Sequence, residues 1–155
     1  MQDRGCVVIK EDVIMNLLPC TEEHLDLLAR MNKQLIEDEK HDNPMNLQEL
    51  KERMRMFINT GYKAFIFQED GEVIGYALVD MTRKPLYLRQ FFIDRDRRRR
   101  GFGTTAFHLL LEELKTDTID IEVLSWNEAG IGFWKSLGFK ERSIYMRYER
   151  KPGES

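Results

Sequence analysis

The stretch Ile93-Asp94-Arg95-Asp96-Arg97-Arg98-Arg99-Arg100-Gly101-Phe102-Gly103-Thr104 has the residue types that receive an anion. An apolar run, Tyr87 to Ile93, leads into it, and an amphipathic helix with Phe107, Leu110, Leu111 and Leu114 on one face leads out. A strand that feeds a glycine-bearing turn into a helix start aims several backbone N–H groups at one point. The glycines remove the side chains that would hold an anion away. Four consecutive arginines, Arg97 to Arg100, make that point positive in a chain whose net charge is −3. A diphosphate suits such a turn. Gly101, Gly103 and Ala106 also match G-x-G-x-x-A, with Asp120 or Glu122 downstream, the pattern of a dinucleotide turn. Context opposes that reading. Seven mostly charged residues separate Ile93 from Gly101, and the remaining chain is too short for a second mononucleotide-binding half.

The spacing of the same residues is more specific. Arg98, Gly101 and Gly103 form R-x-x-G-x-G, with Ile93 five positions before the arginine. This resembles the coenzyme A signature of the GNAT superfamily of acyl-CoA-dependent N-acetyltransferases. Asn127, Gly130, Trp134 and Gly138-Phe139 resemble the superfamily's N-x-x-A-x-x-x-Y-x-x-x-G-F block, with glycine for alanine and tryptophan for tyrosine. The resemblance implies acetyl-CoA as acetyl donor, with the backbone of Phe91, Phe92 and Ile93 pairing with the pantetheine arm. It places the pyrophosphate on main-chain N–H groups from Arg98 through Arg99, Arg100, Gly101, Phe102 and Gly103 to Thr104. Side chains of Arg95, Arg97 and Arg99 are available for further phosphate contacts. Asn127 would hydrogen-bond the coenzyme arm, and Phe133 and Trp134 would line its channel. Many members have a tyrosine at the position of Trp134, whose hydroxyl can protonate the departing thiolate. An indole cannot act as an acid there. Tyr145 or Tyr148, or water, is then the candidate proton source.

The implied activity is transfer of an acetyl group to a primary amine by direct attack in a ternary complex, because no residue stands out as a covalent acyl carrier. The competing reading is a non-catalytic acyl-CoA sensor or regulatory module. In the superfamily layout the loop between the first two helices covers the acceptor pocket. Here that loop runs from Glu37 to Pro44 and holds Asp38, Glu39, His41 and Asp42. Its acidity suits a cationic amine, and Glu39 or His41 could take the amine's proton. Arg89 and Gln90, polar within an apolar strand, and Tyr87 are separate candidates for lining the pocket. Arg89 favours an acceptor with a carboxylate. Both readings stay open at this level.

The elements that must carry these residues follow from periodicity and punctuation. Val13–Leu18 reads as a strand, preceded by a short extended piece at Cys6–Ile9. Thr21 caps a helix with Leu25, Leu28, Ala29, Asn32 and Leu35-Ile36 on one stripe. A loop over Glu37–Asn46 leads to a helix over Leu47–Asn59, with Gly61 beyond its end. Ala64–Phe67 and Glu72–Val79 flank Glu69-Asp70-Gly71, a hairpin signal. Tyr87–Ile93 completes three antiparallel strands. The arginine turn, its helix and a strand over Ile119–Ser125 make a right-handed crossover and a parallel pair. A helix over Gly130–Leu137 and one or two strands over Phe139–Glu149 close the chain. The fold class is mixed α/β of the α+β type: a largely antiparallel sheet with one parallel pair, flanked by helices.

At 155 residues one domain is expected, over 1–150, with a short polar tail over 151–155. The acidic balance argues against nucleic acid as a partner, and no apolar stretch is long enough to span a membrane. Cys6 and Cys20, with His24, His41 and His108, show no metal-ligand spacing, so no metal is expected. The charged N-terminus does not read as a signal peptide, which makes the cytoplasm the expected compartment. The expected partner is a small-molecule or peptide amine, and the expected state is monomer or homodimer.

Overall fold

The computed structural model describes residues 7–10, 13–98 and 101–153. The chain divides into two compact units, Met1–Leu124 and Ser125–Ser155. The first is built on a six-stranded sheet in sequence order: β1 (Val7–Lys10), β2 (Val13–Pro19), β3 (Tyr62–Glu69), β4 (Glu72–Asp80), β5 (Leu86–Ile93) and β6 (Ile119–Ile121). Every neighbouring pair is antiparallel except β5 and β6, which are parallel. This is the expected fold class.

Strand parity decides what each face buries. Ala64, Ile66, Tyr76, Leu78 and Phe92 pack with Leu25, Leu28, Met31 and Leu35 of α1 (Leu25–Asp38) and with Met54 and Phe57 of α2 (Leu47–Ile58). On the opposite parity Phe67 meets Phe91 at 5.7 Å between ring centroids, and Phe91 meets Phe107 of α4 (Phe102–Leu114) at 6.4 Å. The central strand β4 is therefore buried continuously from Ile74 to Asp80 and does not alternate.

Local signals set the boundaries. Thr21 caps a short 3-10 turn, Glu22–His24, from which α1 continues to Asp38. Asn46 and Glu49 form a reciprocal capping box at the start of α2. Asp70 and Gly71 both take positive φ, 48° and 84°, as a tight hairpin turn demands. At Gly75 an added Cβ would lie 2.0 Å from the Phe92 carbonyl oxygen, so β4 can lie against β5 only with glycine there.

The second unit holds α5 (Glu128–Ser136). The strands expected over Phe139–Glu149 do not form. Residues 139–150 have no regular structure, and Ile144, Tyr145, Met146 and Tyr148 are exposed. Within its own unit this segment meets a helix and no second strand, and a strand needs a neighbour to pair its backbone groups. The strand expected over Ile119–Ser125 is shorter for a similar reason, ending at Ile121 with the parallel ladder.

Candidate active site

The arginine stretch folds as one helical turn, α3 (Arg95–Arg98), followed by Gly101 in the left-handed region at φ 76°. Gly101 opens α4, whose start has no side-chain cap and no acidic residue in its first turn. Thr105 N–H already donates to the Gly101 carbonyl at 3.3 Å. The N–H groups of Gly103 and Thr104 lie in the first turn, where an α-helix supplies no intrahelical acceptor. Phe102 and Gly103 are buried. The result is a helix N-terminus with no side-chain cap from Gly101, which favours an anion.

The arginine side chains hold this turn in place. Arg98 Nε donates to the Ile93 carbonyl at 2.7 Å and lies over the Phe92 ring. Arg97 pairs with Glu69 at 2.9 Å and Glu72 at 3.0 Å, on the hairpin of β3 and β4. Arg95 and Arg98 both pair with Asp38, the last residue of α1, whose side chain is 8% exposed. Burial pushes the Asp38 carboxyl up, yet the two guanidiniums outweigh it and hold it below its usual range. Arg99 and Arg100, expected among the anion contacts, lie outside the described residues. On the strand side, the ladder between β5 and β6 stops at Leu88 opposite Ile121, while β5 runs on through Phe91 and Phe92 to Ile93.

A second group of polar side chains lies between β4, β5 and the helices α1 and α2. Asn32, 1% exposed, accepts from Arg53 Nη2 at 3.1 Å. The hydroxyl of Tyr76, a wholly buried residue, donates to Gln90 Oε1 at 2.8 Å. Arg89 sits where the register of β5 slips: Leu78 faces Gln90 and Val79 faces Leu88, so Arg89 is the extra residue of a β-bulge. Strict alternation would send it to the face of Phe91. The bulge brings its guanidinium over Phe57, at 4.9 Å from the ring centroid, with Nη1 3.5 Å from the Tyr62 hydroxyl. Arg53 lies against the same ring at 5.5 Å. Burial, and then the charge of Arg89, lower the affinity of Arg53 for its proton.

The other acceptor-side candidates are spread more widely. Burial pushes the Glu39 carboxyl up, Asp38 adds to this, and Arg98 opposes it. A carboxylate so placed is a better base than a solvated one. His41 Nδ1 accepts from the Asn43 backbone N–H at 3.1 Å, with an Asp42 carboxylate oxygen 3.4 Å away. Burial, then Glu122, pushes the Tyr87 hydroxyl up to about 12, and Arg83 lies over its ring. Burial likewise raises the Cys20 thiol to about 12, which removes it as a nucleophile near neutrality. Among the described residues no group of three metal-ligating side chains occurs, and no helix is long and apolar enough to cross a membrane.

In the unit Ser125–Ser155, Asn127 Oδ1 accepts from Gly130 N–H at 3.0 Å and caps α5. A Cβ at position 130 would lie 2.3 Å from Asn127 Nδ2, so a larger residue there would require the Asn127 side chain to shift. Trp134 stacks edge-on between Phe133 and Phe139, at 4.8 and 5.2 Å. Tyr145 is exposed, and its hydroxyl accepts from Arg147 at 3.4 Å.

Sequence reasoning finds Arg89 and Gln90 but misses Asn32 and Arg53. A signal for both exists. Asn32 lies on the apolar stripe of α1, and Arg53 falls three residues after Leu50 and four before Phe57, on the buried face of α2. Polar residues on a buried helix face need partners inside the protein.

Comparison with known proteins bears on this geometry. The ribosomal protein bS18 alanine N-acetyltransferase of Escherichia coli K12 is 29% identical over 90 residues, covering 56% of this chain and 61% of that protein. The match thus spans less than two thirds of the relative's length. The aminoglycoside N-acetyltransferase AAC(6')-Iy in complex with CoA superposes with a TM-score of 0.70 at 15% identity, over 93% of this chain and 99% of that one. A predicted acetyltransferase from Clostridium acetobutylicum with acetyl-CoA gives 0.69 at 19% identity, over 87% and 96%. These structures share the fold. The model of the acetyltransferase (GNAT) family matches residues 26–139, a span holding α1, α2, the bulged strand and the arginine turn, and the chain belongs to that family.

Proposed function

We propose that residues 1–150 work as one acetyl-CoA-dependent N-acetyltransferase domain, moving an acetyl group to a primary amine in a ternary complex. The observation that carries this reading is the start of α4 behind Gly101, which has no side-chain cap and no acidic residue in its first turn. The diphosphate of acetyl-CoA would lie on the N–H groups of that turn, and its pantetheine arm along Phe91, Phe92 and Ile93. Family membership, a relative that acetylates a protein's alanine and neighbours holding CoA or acetyl-CoA support the same donor.

In the reaction the neutral amine attacks the thioester carbonyl. The new C–N bond forms, the C–S bond breaks, and the electron pair leaves on sulfur. Glu39 is the proposed acceptor of the amine's proton, since burial raises its basicity. A thiol pKa of roughly 8.5 makes the thiolate a tolerable leaving group, so Trp134 in the usual tyrosine position slows protonation without preventing turnover. Asn127, Phe133 and Trp134 are proposed coenzyme contacts, and Tyr87 and Gln90 acceptor contacts.

The test is release of free thiol from acetyl-CoA across a panel of amines. Amine-dependent release that follows enzyme concentration is the expected result. Tight acetyl-CoA binding without release for any amine would favour the alternative, a non-catalytic acyl-CoA sensor, which Trp134 alone favours.

A further inference from the structure

Two guanidiniums, Arg53 and Arg89, lie against the ring of Phe57, and among the described residues no carboxylate pairs with either. Arg53 has one hydrogen-bond acceptor, Asn32, and its buried Nε has none. Arg89 has one, the Tyr62 hydroxyl at the long distance of 3.5 Å. The described carboxylates that form ion pairs do so with other cations. Both guanidiniums lie against one ring, Phe57, so like charges are gathered on a partly apolar surface. Such a pairing is unfavourable unless an anion answers it.

The surrounding contacts fix the cations in place. The bulge re-aims Arg89 toward the helices, and Asn32 orients Arg53. These contacts engage one nitrogen of each guanidinium and bring no negative charge to either. The acidic loop offers less than its composition promises, because Asp38 is already held by Arg95 and Arg98. A polyamine or an aminoglycoside would bring further positive charge to a site already holding two cations.

We propose that Arg53 and Arg89 form the binding site for a carboxylate on the acceptor, so that the acetylated amine belongs to an amino acid or a peptide with a nearby carboxylate. This rests on the acetyltransferase reading for the amine and on the arginine geometry for the carboxylate. Planar guanidiniums match carboxylates through paired N–H donors, and the half-exposed position admits a ligand from solvent. A free amino acid and the acidic side chain or terminus of a peptide offer the same group.

The experiment compares Ala-Glu, Ala-Gln, Ala-Ala, Ala-Ala amide and free glutamate as acceptors, with spermidine as a cationic control. Thiol release gives kcat/KM, and calorimetry in the presence of CoA gives binding without turnover. Carboxylate-bearing acceptors should exceed the amide by about tenfold or more. Arg89→Met should bring that ratio close to one while leaving acetyl-CoA affinity unchanged, and Arg53→Lys should retain part of it. Preference for glutamate or for dipeptides then tells a free amino acid from a peptide. Turnover with spermidine or the amide at equal efficiency would overturn the carboxylate site and leave the acetyltransferase reading standing. Binding of Ala-Glu that Arg89→Met abolishes, without thiol release from any amine, would support the site and overturn the activity. No binding and no turnover would overturn both.

Discussion

Asn32 holds the buried polar cluster together, and its replacement by leucine has a calculable cost. The side chain is 1% exposed and accepts from Arg53 Nη2 at 3.1 Å. A hydrogen bond to a charged group contributes roughly 1.5–3 kcal/mol, and the value is reduced here because Arg53 is only half-buried. Leucine is similar in volume, so no large cavity term enters. Asn32→Leu should therefore cost about 1–2 kcal/mol, a drop in Tm of roughly 2–8 °C for a chain of this size. Urea titration with fluorescence detection gives the free energy directly. Combining Asn32→Leu with Arg53→Met removes donor and acceptor together, so the double variant should be on the order of 1 kcal/mol more stable than the summed single losses predict. A single-variant loss under about 0.5 kcal/mol with strict additivity would refute the reasoning, because Asn32 would then not be answering Arg53.

Gly75→Ala should destabilise the protein by about 1–3 kcal/mol in urea, since its Cβ would meet the Phe92 carbonyl oxygen at 2.0 Å; unchanged stability would mean that β4 and β5 lie further apart. Asp38 has a carboxyl pKa held below its ordinary 3.8, so its stabilisation is complete above the unfolded value and lost as pH falls through the folded one. Asp38→Asn should then lower the urea midpoint at neutral pH, with the difference from the parent shrinking below about pH 4, and a pH-independent difference would rule this out. Trp134→Tyr should raise turnover if thiolate protonation limits the rate, or leave it unchanged if water already serves. Complete loss of acetyl-CoA affinity in that variant would make the indole a packing element.

Much of the first unit was legible because its signals are local. The Thr21 cap, the Asp70-Gly71 turn and the two strands that flank it follow from residue type and period. The Gly101 turn was legible through spacing. What sequence could not supply was pairing. It showed Arg89 and Gln90 as polar residues in an apolar strand, but not that a one-residue slip turns Arg89 toward α2. It offered Asp38 to the acceptor, whereas the fold brings Arg95 and Arg98 onto that carboxylate. Asn32 and Arg53 became meaningful only when α1 and α2 closed over Tyr76 and Gln90. The segment Phe139–Glu149 carries a strand-like composition, yet a strand depends on a partner that composition does not specify.

Isothermal titration of acetyl-CoA into the parent protein and the Gly103→Val variant tests the coenzyme site most directly. Gly103 is buried in the first turn of α4, where a branched side chain would stand between the diphosphate and the backbone N–H groups. Removing one charge-assisted hydrogen bond costs roughly 1.5–3 kcal/mol, so affinity should fall by about tenfold or more while circular dichroism stays that of the parent. Equal affinity in a folded variant, or no binding to the parent, would contradict the assignment of this turn to acetyl-CoA.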